Sequence, residues 1–375
     1  MAVSAAESTL GKWAMAAAVR VTTMGWENMV GELRGASHLT ESVGDIPHKA
    51  GRLLNLLRKN GVGVLLSTRP WTPDQIDQAA QRGAHKSASE YTDFVCEELL
   101  DFCEQGYWVV LPLATVRSWS GLRLSPLGVV PQHNRRPRLI VDYSFSGLNQ
   151  ETVRMAPPEA MQFGRALLRV LSHVVHADPK FGPCKLAKID IADGFYRMWV
   201  RISDIPKLGV VLPTQGGFPL VAFPLALPMG WVESPPYFTV MTETACDLAN
   251  AAVQWGQPGK PHRLETAAAS RPVSPPPAAW PANWASTHAA FDMTGAPSSA
   301  PLAFADVYVD DFLLVAQTMR QQTRLLRLTL EAIDHVLRPL AASDPSYRKE
   351  PTSVKKLHQG GCPLEHPEDR SWLGS

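Results

Sequence analysis

Two adjacent aspartates, Asp310 and Asp311, stand at the centre of FADVYVDDFLLVAQ (Phe304–Gln317), where nearly every neighbour is apolar or β-forming. Adjacent carboxylates in a tight turn repel each other, and burying them unpaired costs roughly several kcal/mol. A divalent cation relieves both problems, and magnesium is typically bound through one or two carboxylates together with substrate phosphates. Acidic residues are common in turns, so a solvated Asp-Asp turn is the default reading of this stretch alone. A second strand-and-acid unit, KLAKIDIADGFYRMWV, shifts the balance. There Asp190 ends an apolar strand, where a charge needs a partner. Asp193 follows three residues later, at a point where a helix could begin and be capped. Carboxylates converging from separate strands can hold two metal ions about 3.5–4 Å apart, which clamp the attacking and leaving oxygens of a phosphoryl displacement. Asp190 and Asp310 are the pair that neighbouring strands would bring together, and the implied chemistry is two-metal nucleotidyl transfer.

The elements that must position them are legible from periodicity. SASEYTDFVCEELLDFCEQGYWVVLPL predicts a helix with Tyr91, Phe94, Val95, Leu99, Phe102 and Cys103 as its apolar face. Ser87 or Ser89 would cap that helix, which runs into the strand WVVLPL. LRLSPLGVVPQHNRRPRLIVDYS predicts two strands joined by a basic turn. MQFGRALLRVLSHVVHA predicts a second helix with Phe163, Leu167, Val170, Leu171 and Val174 on one face. CKLAKIDIADGFYRMWV reads as strand, tight turn and helix, and KLGVVLPTQGGFPLVAFP as a hairpin turning at Gly216 and Gly217. After the Asp-Asp hairpin come a helix around RLLRLTLEAIDHVLRPL and a basic stretch, SYRKEPTSVKKL. This order of strand, helix, hairpin and helix fits an α+β fold with a split βαβ (ferredoxin-like) antiparallel sheet, which would set the Asp190 and Asp310 strands side by side.

The chain has 375 residues, 45% hydrophobic and 19% charged, enough for an ample core. A net charge of +1 identifies no partner, because local patches can be strong where the sum is near zero. Five scattered cysteines without a CxxC pair argue against a zinc site or a disulfide framework and for a reducing, intracellular compartment, cytoplasm or nucleus. The longest apolar run, FPLVAFPLALPMGWV, contains three prolines and cannot form one helix, so no membrane partner is expected. Residues 1–60 are alanine-rich with helical pieces such as GRLLNLLRKN, an N-terminal extension of unreadable role. At about residue 251 the composition turns to proline, alanine and serine, which supply no core, so 251–301 reads as an insertion.

Four segments, in order, resemble the motifs of retroelement reverse transcriptases. RPRLIVDYSFSGLN resembles the fingers motif, and KIDIADGF motif A, in which an aspartate precedes an aromatic by five residues. LPMGWVESPPYF resembles motif B, and VYVDDFLL the YxDD hairpin of motif C. RKEPTSVKKL and WLGS are similar to motif D and the start of a primer grip. The resemblance covers roughly residues 88–375. It implies right-hand polymerase fingers at 61–185 and a palm at 186–375, with no thumb or ribonuclease H domain. It further implies an RNA-directed DNA polymerase that adds deoxynucleoside triphosphates to a primer on an RNA or DNA template, using two Mg2+ or Mn2+ ions. Asp190, Asp310 and Asp311 would be the catalytic metal ligands, with the backbone carbonyl of Ile191 completing the shell. Arg138 would contact the triphosphate, with Arg135 or Arg136 as a second basic residue. Phe195 would exclude a ribose 2′-hydroxyl, Gly230 would let backbone approach the nucleotide or template, and Ser234-Pro235 would begin the motif B helix. Met229 would line the nucleotide site, Tyr308 would pack beside the primer or fill core, and Lys355 or Lys356 would protonate pyrophosphate. The alternative is a truncated or domesticated remnant that binds nucleic acid or a partner without polymerising. An RNA-templated RNA polymerase shares the palm, but Phe195 and the YxDD form count against it.

Overall fold

Alternating apolar strands and amphipathic helices assemble into two sheets that share one hydrophobic core. The computed structural model describes residues 4–34, 45–133, 135–155, 163–213, 218–265, 300–338 and 350–353. Six helices come first: α1 (Ala5–Met24), α2 (Trp26–Arg34), α3 (Gly51–Asn60), α4 (Pro73–Arg82), α5 (Lys86–Glu90) and α6 (Thr92–Glu104). The segment read as an extension is thus part of the core, since Leu10, Ala14, Met29, Val30, Leu54 and Leu57 are all buried in it. Arg34 is buried at the end of α2, where its guanidinium donates to the carbonyls of Val200 and Leu225 at 2.5 Å each. Burial pushes that group down to about 9.

The predicted helix before the first strand splits in two. Ser87 and Ser89 fall inside α5, not at a cap; Ser87 Oγ instead accepts from the Val129 N–H at 3.2 Å. α6 starts after Tyr91 without a side-chain cap and buries Val95, Cys96, Leu99 and Cys103. It leads into β1 (Trp108–Pro112), then the short α7 (Leu113–Val116), β2 (Leu124–Gln132) and β3 (Arg135–Val141). After α8 (Leu148–Glu151) and α9 (Ala166–Val175) come β4 (Cys184–Asp190), β5 (Gly209–Val211) and β6 (Leu220–Pro224). The first sheet is mixed, with order β1-β6-β5-β2-β3 and only the β2–β5 pair parallel. β1, β5 and β6 are buried along their whole length, which explains their unbroken apolar runs. The β5–β6 hairpin forms as expected, while Gly216 and Gly217 lie outside the described residues.

The second sheet carries the acidic motifs. α10 (Ser234–Gln254) precedes β7 (Ala303–Tyr308), β8 (Asp311–Gln317) and α11 (Met319–Leu337). The order is β4-β8-β7, and β8 is antiparallel to both neighbours, so β4 and β7 run parallel with β8 between them. Ala305, Val307, Phe312 and Leu314 share the core with Leu325, Leu330 and Ile333 of α11. α9 packs against β7, where Arg169 forms a two-pronged ion pair with buried Asp306, both contacts 2.6 Å. This line of contact is narrow. Of the apolar face predicted for α9, Val170 is buried, but Leu167 and Leu171 are exposed.

Two further departures concern local structure. The helix expected after Asp190 is a single 3-10 turn, Gly194–Arg197, and Asp193 does not cap it. Asp193 instead has a φ of 62° and accepts from the Tyr107 hydroxyl at 2.7 Å. The composition break at 251 is also not a break in structure, because α10 continues to Gln254 and Leu264 is buried. Residues 266–299 lie outside the described residues. Among the described residues no helix is long and apolar enough to cross a membrane.

Candidate metal centre

Strand alternation decides where the carboxylates point. In a strand, successive side chains face opposite sides. Ile189 and Phe312, cross-strand partners with no exposed surface, therefore point into the core. Asp190 and Asp311, the next pair in the register, point out of the opposite face together with Lys188. Tyr308 pairs with Asp311 across the hairpin, which leaves Val309 and Asp310 as a two-residue turn. Val309 adopts a φ of 57°, a left-handed conformation that is costly for a β-branched side chain. The Ile191 N–H donates to the Asp310 carbonyl at 3.0 Å, tying the turn to the end of β4.

Asp190, Asp310 and Asp311 each place a carboxylate oxygen within 4.8 Å of the others, so the cluster could hold a metal ion. Asp190 is 4% exposed. Asp311 Oδ2 pairs with Lys188 Nζ at 2.9 Å, while its Oδ1 is buried and receives no hydrogen bond. Burial, then the adjoining Asp190 carboxyl, push Asp311 up to about 7; Lys188 opposes this and Asp310 adds to it. The site therefore concentrates more negative charge than one lysine neutralises, and it presents an acceptor lacking a donor. A divalent cation satisfies both conditions.

The neighbouring motifs divide into those at the cluster and those elsewhere. A Cβ built on Gly194 would lie 4.0 Å from Asp310 Oδ2, so the 3-10 turn carrying Phe195 stands beside the carboxylates. The half-buried Phe195 ring meets Phe238 of α10 edge-on, with centroids 5.2 Å apart. Ile191 is buried and bridges to Thr352. α10 begins at Ser234 with proline in its first turn, as the motif predicts, and Ser234 Oγ donates to the Pro228 carbonyl at 2.7 Å. Met229 and Tyr308 are both about half exposed, so Tyr308 is not core filling. Arg138 is exposed on β3, the last strand of the other sheet. Arg135 is also exposed, whereas Arg136 pairs with Glu98 at 2.9 Å. Lys355 and Lys356 lie outside the described residues.

Gly230 has a reason within the chain that differs from the expected approach to a ligand. Its φ is 95°, and an added Cβ would sit 2.6 Å from the Val141 carbonyl, so this loop packs directly on the end of β3. Asn149 fixes the same loop: its Nδ2 donates to Gly230 O at 2.9 Å and its Oδ1 accepts from the Val232 N–H at 3.0 Å. Asn149 closes the motif RPRLIVDYSFSGLN, where nothing local announces a partner about eighty residues away. Lys188 was also missed, although it lies two residues before Asp190 and period-2 alternation puts both on one face. Arg197 is a third case. It donates to Ala192 O at 2.6 Å and Glu350 O at 2.5 Å, contacts that only the fold brings together.

No protein-family model matches the chain, and no curated protein matches it.

Proposed function

We propose that the chain is the RNA-directed DNA polymerase domain of a retroelement, with the second sheet as a split βαβ palm and the first as part of the fingers, to which β5 and β6, expected in the palm at 186–375, then belong. One observation carries the reading. The aspartates of two motifs more than a hundred residues apart converge on one face of adjacent antiparallel strands, within 4.8 Å. The ordered resemblance of four segments supports the same conclusion.

Asp190, Asp310 and Asp311 are the residues that would hold Mg2+, and their surplus charge and the orphaned Asp311 oxygen fit such an ion. Bound there, the metal would lower the pKa of the primer hydroxyl and offset charge on the phosphoryl group. In the reaction the primer 3′-oxygen bonds to the α-phosphorus, the bond to the bridging oxygen breaks, pyrophosphate leaves, and the hydroxyl proton passes to solvent. Phe195, next in the chain to Gly194 that stands beside Asp310, would limit space for a 2′-hydroxyl. Arg138 would meet the triphosphate, whose oxygens suit a guanidinium fork.

Primer extension on an RNA template with Mg2+ or Mn2+ tests the reading. Incorporation of deoxynucleotides is expected from the wild-type chain and is abolished by Asp190→Asn and by Asp310→Asn. Incorporation equal in wild type and both variants sinks it. A second reading, nucleic-acid binding without polymerisation, is favoured by the Lys188–Asp311 pair, a resident cation on one of the three carboxylates. Template binding with no incorporation, restored by Lys188→Ala, would identify that pair as the cause.

A further inference from the structure

The residues beyond Asp190 do not hold their course alone. Residues 350–353 lie antiparallel against 190–192: the Ala192 N–H donates to Pro351 O and the Ser353 N–H to Asp190 O, both at 2.8 Å. This segment is anchored from the opposite side by Glu350. Arg263 donates through Nε to Glu350 Oε1 at 2.9 Å and through Nη2 to Oε2 at 2.6 Å. The same guanidinium binds Asp334 near the end of α11, through Nη1 to Oδ2 and through Nη2 to Oδ1 at 2.9 Å. Arg338 adds a contact to Glu350 at 2.7 Å, and His262 Nε2 lies 3.1 Å from Asp334. Arg197 joins the two layers, donating to both the Ala192 and the Glu350 carbonyls.

We infer that Arg263, in the first part of the proline- and alanine-rich segment, is a positioning residue for the metal centre: it clasps Glu350 to Asp334 of α11 and so steadies 350–353, the segment that pairs with the backbone carrying Asp190. The Asp190 carbonyl is bonded to Ser353, three residues from Glu350, so freedom at Glu350 becomes freedom in the backbone of a metal ligand. A planar fork engaging two carboxylates at once fixes direction as well as distance, which a lysine cannot do. The segment that composition marks as a linker thus begins with a residue tied to the site. The inference rests on the cluster being a metal centre.

The test uses the full chain with Mn2+ as probe, comparing Arg263→Ala, Arg263→Lys and Arg327→Ala. Arg327 pairs two-pronged with Glu265 at 2.7 Å in the same neighbourhood but does not touch Glu350, so it controls for general destabilisation. Arg263→Ala is expected to weaken Mn2+ binding about tenfold, as loss of an outer support does at metal sites. It is also expected to accelerate hydrogen exchange at the Ala192 and Ser353 amides. Arg263→Lys recovers part of both effects, and Arg327→Ala changes neither. Wild-type Mn2+ affinity and exchange in Arg263→Ala would overturn the inference. Should the wild-type chain bind no Mn2+, the metal reading fails, and the exchange rates alone decide whether Arg263 holds 350–353 in place.

Discussion

Asp310 sits at the tip of a two-residue turn with two other carboxylates inside 4.8 Å, and that crowding has a measurable consequence without any ligand. Like charges in partial burial disfavour one another, so the crowded carboxylates oppose stability. Asp310→Asn is expected to stabilise the metal-free chain by roughly 0.5–2 kcal/mol in chemical denaturation, and to remove any stabilisation by Mn2+. A lower denaturation midpoint in the metal-free variant would count against a strained acidic cluster. Gly230 makes a different demand. Its left-handed φ and the Val141 carbonyl 2.6 Å from a built Cβ leave no room for a side chain. Gly230→Ala should cost about 2 kcal/mol or more, from conformational strain plus the displacement of the loop from β3. The same denaturation experiment reads it; an unchanged midpoint shows that the loop moves freely. The need for glycine here was legible in the sequence, but its reason was not, because the atom it avoids belongs to a strand nearly ninety residues earlier.

At the scale of elements, β7 forms one end of its sheet, and an unpaired strand edge needs cover. Asn250 of α10 supplies it, accepting from the Ala305 N–H at 2.9 Å and donating to the Ala305 carbonyl at 2.8 Å. Asn250→Ala leaves both backbone groups without that partner, with an expected loss of about 1–3 kcal/mol. The Arg263 clasp adds a pH dependence. Burial opposes ionisation of Asp334, yet hydrogen bonds from His262 and Arg263 and the charge of Arg338 hold it well below the usual carboxylate range. The Arg263 hydrogen bond, against partial burial and with Arg338 nearby, lowers Glu350 too, although Asp334 opposes this. Carboxylates depressed in the folded state stabilise it fully above their unfolded values, near about pH 4, and that contribution is lost as pH falls through the folded values. Below about pH 4, the melting temperature of the wild-type chain should therefore fall more steeply than that of Arg263→Ala. Parallel curves would show that the clasp carries no net stabilisation. None of this is visible in the local pattern of α11, where Asp334 reads as an ordinary exposed-face acid.

For the molecule as a whole, the first helices belong to the core that holds both sheets. Leu10, Met29 and Val30 are buried, and at roughly 1.5–3 kcal/mol each they approach the whole stability of an ordinary domain. Deleting residues 1–34 is expected to abolish the cooperative unfolding transition; a truncated chain that melts as one unit near the wild-type temperature would make those helices dispensable. Composition gave no such role to the first sixty residues, because alanine-rich helices look alike whether they pack or not. Periodicity did determine the strands that carry the acidic motifs, and the resemblance of LPMGWVESPPYF to a known motif supplied the helix starting at Ser234. Those features depend on neighbours one to four residues away, which the sequence displays directly. Only the tertiary structure decided that Asp190 stands opposite Asp311, that Lys188 neutralises one carboxylate, that Asn149 secures the Gly230 loop, and that Arg263 reaches Glu350. Such pairings depend on register and crossover, and the side chains involved are polar groups whose partners lie scores of residues away, so no local preference of the chain encodes them.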